Sequence, residues 1–366
     1  MNEYGLRVGT PEVRSAGPIT FGPAGILFLA DNASAKVFAI DVADPGDEAG
    51  SDSFELANVD VHVGSFLGCE ASDVLIQDVA VHPRSHNVYL SVQRGRGDTS
   101  QPVLVRIDHR DGAITDVPVE NVPFSEVAIP HAPADDDPRV NFTLSVDAEG
   151  EEMRLRDGRT IHLTRRPLRT GTITDMAYVA GFLLVAGLSN EEFSSRLRRV
   201  PFPFDGEAAD AGLEIYHVSH GKWETEAPIR TFVLYEGGRS ILAGYTCTPV
   251  VHIPLAQLAS GGGRIVGRTV AELGFGNQPL DMVSFVRDGG EHLLVANSSH
   301  GLVKIDCTDI DDQPPLTEPK ESVGVPRTTE QVQGVIRLDN LGADHVLALR
   351  TDGSRRHLFS LKVDSL

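Results

Sequence analysis

Apolar residues in this chain come in short bursts divided by glycine, aspartate and asparagine. The clearest stretch runs from Pro279 to Asp306, where DMVSFV, a Gly289-Gly290 turn, HLLVAN, a small polar loop and GLVKID follow one another. The same order returns as ITF…ILFLADNASAKVFAID from Ile19, as QDVAV…VYLSVQ…VLVRID from Gln77, and as QGVIRL…HVLALR…HLFSLKV from Gln333. Bursts rich in Val, Ile, Leu and Phe, bounded by turn formers, read as strands. Nearly continuous apolar runs such as LLVA and FLLV suit middle strands covered on both faces. A repeated unit of small antiparallel strands predicts an all-β fold, the β-propeller. A parallel sheet with crossover helices would need helical periods between the strands, and these are missing. The one convincing helix start is Ser189, with Glu192 three residues on.

First strands are expected near Pro18, Asp78, Glu126, Asp175, Ile229, Asp281 and Gly334. Their spacing, about fifty residues, is that of a propeller blade. The pattern predicts seven blades; six remain if the third unit, SEVAIP, VNFTLSV, EEMRLRD and TIHLTR, is not a blade. The last blade runs out of chain after its third strand, at Leu366. Tyr4–Val13 is therefore expected to supply its outer strand and close the ring, removing an unpaired edge. Residues 1–366 read as a single propeller domain, with an insertion at 188–212 between FLLVAG and LEIYHV.

Composition narrows the partners. A net charge of −20 repels phosphate backbones, so nucleic acid is not expected as a partner. No apolar run approaches the length of a membrane span, and no basic region followed by a hydrophobic segment opens the chain, so a cytoplasmic location without a membrane partner is expected. Cys69, Cys247 and Cys307 are odd in number and widely spaced, which argues against a disulfide framework. Glycosylation patterns begin at Asn32, Asn141 and Asn297, but nothing else points to secretion.

The segments ITFGPAGILFLAD and DVAVHPRSHNVYLSV resemble the strand–turn–strand unit of the NHL, YVTN-lactonase and SMP-30-like group of propellers. The resemblance covers most of the chain and implies architecture. That group's metal-binding Glu-Gly-Pro start is missing here, so its calcium site and hydrolytic activity are not carried over to any residue of this chain.

In a propeller the starts of first strands and the ends of second strands meet on one face. On that face the sequence places Asp78, Glu126, Asp175 and Asp281, in part through the recurring QDVAV, TDMAY and LDMVS. Carboxylates crowding one axis repel unless a cation or arginine neutralises them. Oxygen-only ligands suit a hard cation, so Ca²⁺ or another divalent ion is the expected cofactor, and no nucleotide cofactor is indicated. The alternative is that these aspartates cap backbone N–H groups of neighbouring blades and only hold the ring. Arg94 and Asn297 are expected to bind ligand, with Cys247 beside them, and His300 to act as acid or base near neutral pH. His82 and His86 fall on the opposite face, and His217 and His220 at a blade edge, where a structural role is expected. Trp223 lies in an outer strand, away from any axial quinone.

The insertion at 188–212 is expected to form a lid over the channel mouth. It would carry a short capped helix, with Asn190, Glu191 or Glu192 facing the ligand, Glu191 as a catalytic residue beside His300, and Phe193, Phe202 and Phe204 anchoring the loop. Two functions follow. One is a propeller binding a small polar ligand, acting as a metal-dependent hydrolase or isomerase; the other is a non-catalytic scaffold for a peptide or protein.

Overall fold

The computed structural model describes residues 4–44, 46, 53–146, 149–155, 158–246, 249–259, 263–320 and 322–366. Among these residues the apolar bursts become strands, arranged in seven sheets. Six of these begin with a first strand followed by its antiparallel neighbours. The first sheet holds Ile19–Phe21, Ile26–Asp31 and Lys36–Asp41, and the second Val74–Val81, Val88–Arg94, Gln101–Ile107 and Ile114–Asp116. The third runs Asp175–Val179, Phe182–Leu188, Ser195–Pro201, Ala209–His217 and Lys222–Glu224. The fourth runs Ile229–Tyr235, Ser240–Tyr245, Pro249–Pro254 and Arg268–Glu272, with Val323–Gly324 outside. Pro279–Arg287, Gly290–Asn297, Val303–Asp306 and Arg327–Thr329 make the fifth, and Val335–Leu341, His345–Thr351 and Arg356–Lys362 begin the sixth.

The first strands of these six sheets neighbour one another in a closed cycle: three, four, five, six, two, one, and back to three. Each junction has its own apolar core. Leu27 and Phe38 meet Tyr89 and Leu104 between sheets one and two, while Phe28 and Val37 meet Leu183 and Val185 between one and three. Val88 and Leu90 pack with Leu347 and Leu349 between two and six. Middle strands such as Ile26–Asp31 and Ser240–Tyr245 are buried along their whole length, which explains their unbroken apolar sequence.

Sheets two and one therefore sit in the ring against chain order, and this corrects the expected closure. After Asp41 the chain runs back to sheet six, where Glu55–Leu56 pairs with Leu358–Phe359 as the fourth strand. A helix, Val59–Leu67, packs Val59 and Val63 into the core between sheets two and six, and the chain then builds sheet two. It returns to sheet one as Val122–Ala128, paired with Lys36–Asp41, and Arg7–Gly9 lies outside that strand. A strand from the N-terminal part does close the last sheet, but residues 55–56 supply it, and Tyr4–Val13 belongs to sheet one. Val122–Ala128, expected as the first strand of a third blade, is an outer strand.

The rest of that expected blade, Val140–Leu144, Glu151–Arg154 and Thr160–Pro167, forms the seventh sheet, three-stranded with 160–167 in the middle. The insertion at 188–212 is corrected as well. Ser195–Pro201 is the third strand of sheet three, not a helix, and Ala209–His217 is the fourth. Arg198, wholly buried on that strand, donates to the carbonyls of Thr172 and Leu188. Phe202 and Phe204 cluster with Phe28 and Tyr178 at the opposite end of the sheet from Asp175, and Phe202 N donates to Gly181 O.

Candidate axial site

Asp78, Asp175 and Asp281 project from the first strands of sheets two, three and five, and the structure brings them together at the axis. A β-bulge precedes two of them, between Ile76 and Asp78 and between Pro279 and Asp281. Bulges also occur between Ile229 and Thr231 and between Val335 and Arg337, so Thr231 and Arg337 occupy the corresponding places in sheets four and six. A bulge re-aims the side chain that follows it. Here it turns three acidic or basic groups and one hydroxyl towards the same axis.

Each carboxylate is already engaged. Asp175 accepts from the N–H of Met176 and from that of Phe232 on the next sheet, both at 2.7 Å. Asp281 accepts from Met282 N at 2.8 Å and from Leu338 N on the next sheet at 2.9 Å. Asp78 accepts from Ile19 N at 2.8 Å and meets Arg337 Nε at 3.3 Å. Asp339, two residues beyond Arg337, accepts from Asn340 N and, at 2.6 Å, from Val81 N on sheet two. Four of the six junctions are thus bridged by an aspartate on one first strand and a backbone N–H on the next, always in the same rotational sense. Asn32 bridges a fifth, between sheets one and three, bonding both the N–H and the carbonyl of Ile173. At the sixth, Thr231 Oγ1 donates to Asp281 at 3.3 Å.

The electrostatics follow from crowding in a poorly solvated channel. Burial pushes Asp78 up to about 7, and Arg337 works against it while Asp281 adds to it. Burial also pushes Asp339 up to about 7. Asp175 is raised well above the usual carboxylate range by burial and by Asp281 and Asp78, and burial raises Asp281 against the pull of Arg337. The counter-charge is arginine. Arg337 donates to Gln77 O through Nε and Nη2, at 2.8 and 2.6 Å, while Arg230 on sheet four is pushed down to about 10 by burial and then by Arg337.

The other expected site residues lie elsewhere. Glu126 is on the outer strand Val122–Ala128, paired with Lys36 at 2.6 Å, because its strand is not a first strand. Glu191 binds Arg196, which Asp210 also holds, and Asn190 is exposed with its N–H on His131 O. Asn297 is buried, joining Asn277 to the carbonyls of Val295 and Gly301. Arg94 ends the second strand of sheet two, half-buried. His300 stands half-buried on the loop after Asn297, its pKa lowered by burial, then by Arg159 and Arg327. Cys247 lies outside the described residues.

The face on which first strands start is covered by the three-stranded sheet. Leu144 N donates to Gln278 Oε1 and Arg159 to Phe275 O, just before sheet five, and Arg96 beside sheet two pairs with Glu149. Val146, like Leu280 and Ile76, packs against the core between sheets two and six. The residues that sequence reasoning missed here are Arg230, Arg337 and Asp339. Their signal was available: VIRLDN puts Arg337 where the other sheets carry Asp78 and Asp281.

No family model and no curated protein matches the chain. Among solved structures it is similar to the Swd1 β-propeller domain of Myceliophteria thermophila, at 11% identity over 95% of this chain and 84% of that one, with a TM-score of 0.40. It is similar also to a chain of the mitotic checkpoint complex, at 9% identity over 99% and 97% with a TM-score of 0.34. A glucose dehydrogenase-type oxidoreductase from Thermus thermophilus matches at 13% identity over 98% and 100%, with a TM-score of 0.35. At such values these likenesses bear on neither activity nor partner. Among the described residues no helix is long and apolar enough to cross a membrane.

Proposed function

We propose that the protein is a non-catalytic binding propeller of six blades, its axis structural and its capped face the one that receives a peptide or protein partner. The observation that carries this reading is the use of the axial oxygens. Asp78, Asp175, Asp281 and Asp339 each hold a backbone N–H of the next sheet, so a cation would have to compete with bonds that keep the ring together. Arg337 already provides the positive charge that Ca²⁺ would bring. The three-stranded sheet supports the second half of the reading, for it exposes Val140, Phe142 and Met153, with Phe275 also exposed on the same face. Apolar side chains rimmed by charge are how soluble proteins mark a contact surface.

The test is selection from a displayed peptide library by the wild type and by Phe142→Ser and Met153→Ser. The reading expects enriched peptides that the variants bind at least about tenfold more weakly. Turnover of lactones, esters or phosphoesters that disappears in Asp175→Ala while the fold persists would establish the hydrolase instead.

A further inference from the structure

Among the described residues, one group of His, Cys, Asp and Glu side chains converges closely enough to share an ion: His217, His220 and Glu224, whose ligand atoms all lie within 4.8 Å of one another. One hairpin presents all three. Ala209–His217 carries the first histidine, the turn carries the second, and Lys222–Glu224 returns with the carboxylate. The turn is fixed by Gly221 N on His217 O and by a positive φ of 64° at Gly221. A side chain there would also meet Pro319 at 2.8 Å, so glycine is required.

Both imidazoles aim the same atom at one carboxylate. Nδ1 of His217 contacts Oε2 of Glu224, and Nδ1 of His220 lies 2.8 Å from Oε1. The ring centroids are 3.9 Å apart. His217 is buried, whereas His220 is 37 % exposed, which leaves one side of the cluster open to water.

We infer that this hairpin is a zinc site, with His217 Nδ1, His220 Nδ1 and a Glu224 oxygen as ligands and a water in the fourth place. The inference is independent of how the axis is read. Two imidazoles and a carboxylate suit zinc-class ions, and three protein ligands with one open position is the pattern of a site that keeps a water. Tetrahedral zinc needs ligand atoms about 3.3 Å apart, given bond lengths near 2.0–2.1 Å, so the His220 Nδ1–Glu224 Oε1 pair, now 2.8 Å apart, and the shorter His217–Glu224 pair must open slightly to admit the ion. Lys222, whose ammonium lies 3.1 Å from Glu224 Oε1, must move aside; its side chain is 64 % exposed and has room to do so.

The probe is zinc alone, titrated by calorimetry into chelator-treated protein, with cobalt as a spectroscopic substitute. One equivalent of zinc should bind, and cobalt should give the visible bands of a tetrahedral ion. His220→Ala and Glu224→Gln should each weaken zinc at least about 100-fold, since losing even an outer partner costs 10–100-fold. Lys222→Ala should tighten it. Zinc affinity in His220→Ala equal to that of the wild type, or no zinc binding by the wild type at all, overturns the assignment. Should Glu224→Gln melt early, His220→Ala carries the test, because its ring is the exposed one.

Discussion

The axis and the hairpin at the rim of sheet three both gather ionisable groups, and they do so in opposite ways. At the axis the acids are numerous, but their oxygens accept from Phe232, Leu338, Ile19 and Val81, and an arginine sits among them. At the rim there are only three candidate ligands, yet they point at one another from a single rigid turn. A crowd of carboxylates is therefore weaker evidence for a metal than a small set of convergent donors. What decides is what the oxygens hold now: at the axis they hold backbone N–H groups that keep the ring together, whereas at the rim Glu224 holds the two imidazoles that would ligate with it and one exposed lysine.

That contrast can be broken most forcefully at Arg337. Arg337→Ala removes the charge that faces Asp78 and strips two donors from Gln77 O. Breaking a buried pair from one side costs about 3–5 kcal/mol, and 28 % residual exposure of the arginine places the effect towards the lower end. Chemical denaturation at pH 8 measures it, and a variant as stable as the wild type would show that the axis does not need its arginine. Asp175→Ala comes next. It leaves the N–H groups of Met176 and Phe232 without their acceptor, at about 1–3 kcal/mol for a buried unsatisfied donor, seen as a lower melting temperature.

A third, smaller effect is read from pH. Asp339 has its pKa raised to about 7 in the folded chain, above the unfolded value of 3.8, so the folded state holds the proton more tightly. Its contribution is fully present below the unfolded value and is lost as pH rises through about 7. Asp339→Asn cannot titrate there, so the stability difference should shift towards the wild type as pH falls from 8 to 5. A difference that stays constant with pH would remove Asp339 from the set of perturbed axial acids. The smallest effect belongs to the rim: in metal-free protein His220→Ala should leave the melting temperature nearly unchanged, since that ring is partly in water and its bond to Glu224 is a surface one.

Much of this fold was legible in the sequence because strands and turns are written locally. FLLVAG, SILAGY and HLLVAN become buried second strands, and Asp78, Asp175 and Asp281 reach the axis as their shared motif implied. Ring order was not legible. Nothing in QDVAV says which sheet its strand will touch, so the return of residues 122–128 to sheet one, and with it the displacement of Glu126, lay beyond any local pattern. Val59–Leu67 hid for a different reason: VDVHV alternates like a strand, and its helix is held by burial of Val59 and Val63 between two sheets. Ser189 and Glu192 imitate a helix cap, but the residues after them pair with Phe182–Leu188, where strand pairing outweighs a weak local preference.

The central claim is that the axial acids hold the ring and not an ion. It is tested most directly by melting the wild type and Asp281→Ala with and without saturating calcium. Calcium should leave the wild-type midpoint where it is, and Asp281→Ala should melt lower by the same margin in both conditions. A wild-type midpoint raised by calcium, with the rise lost in Asp281→Ala, would contradict it.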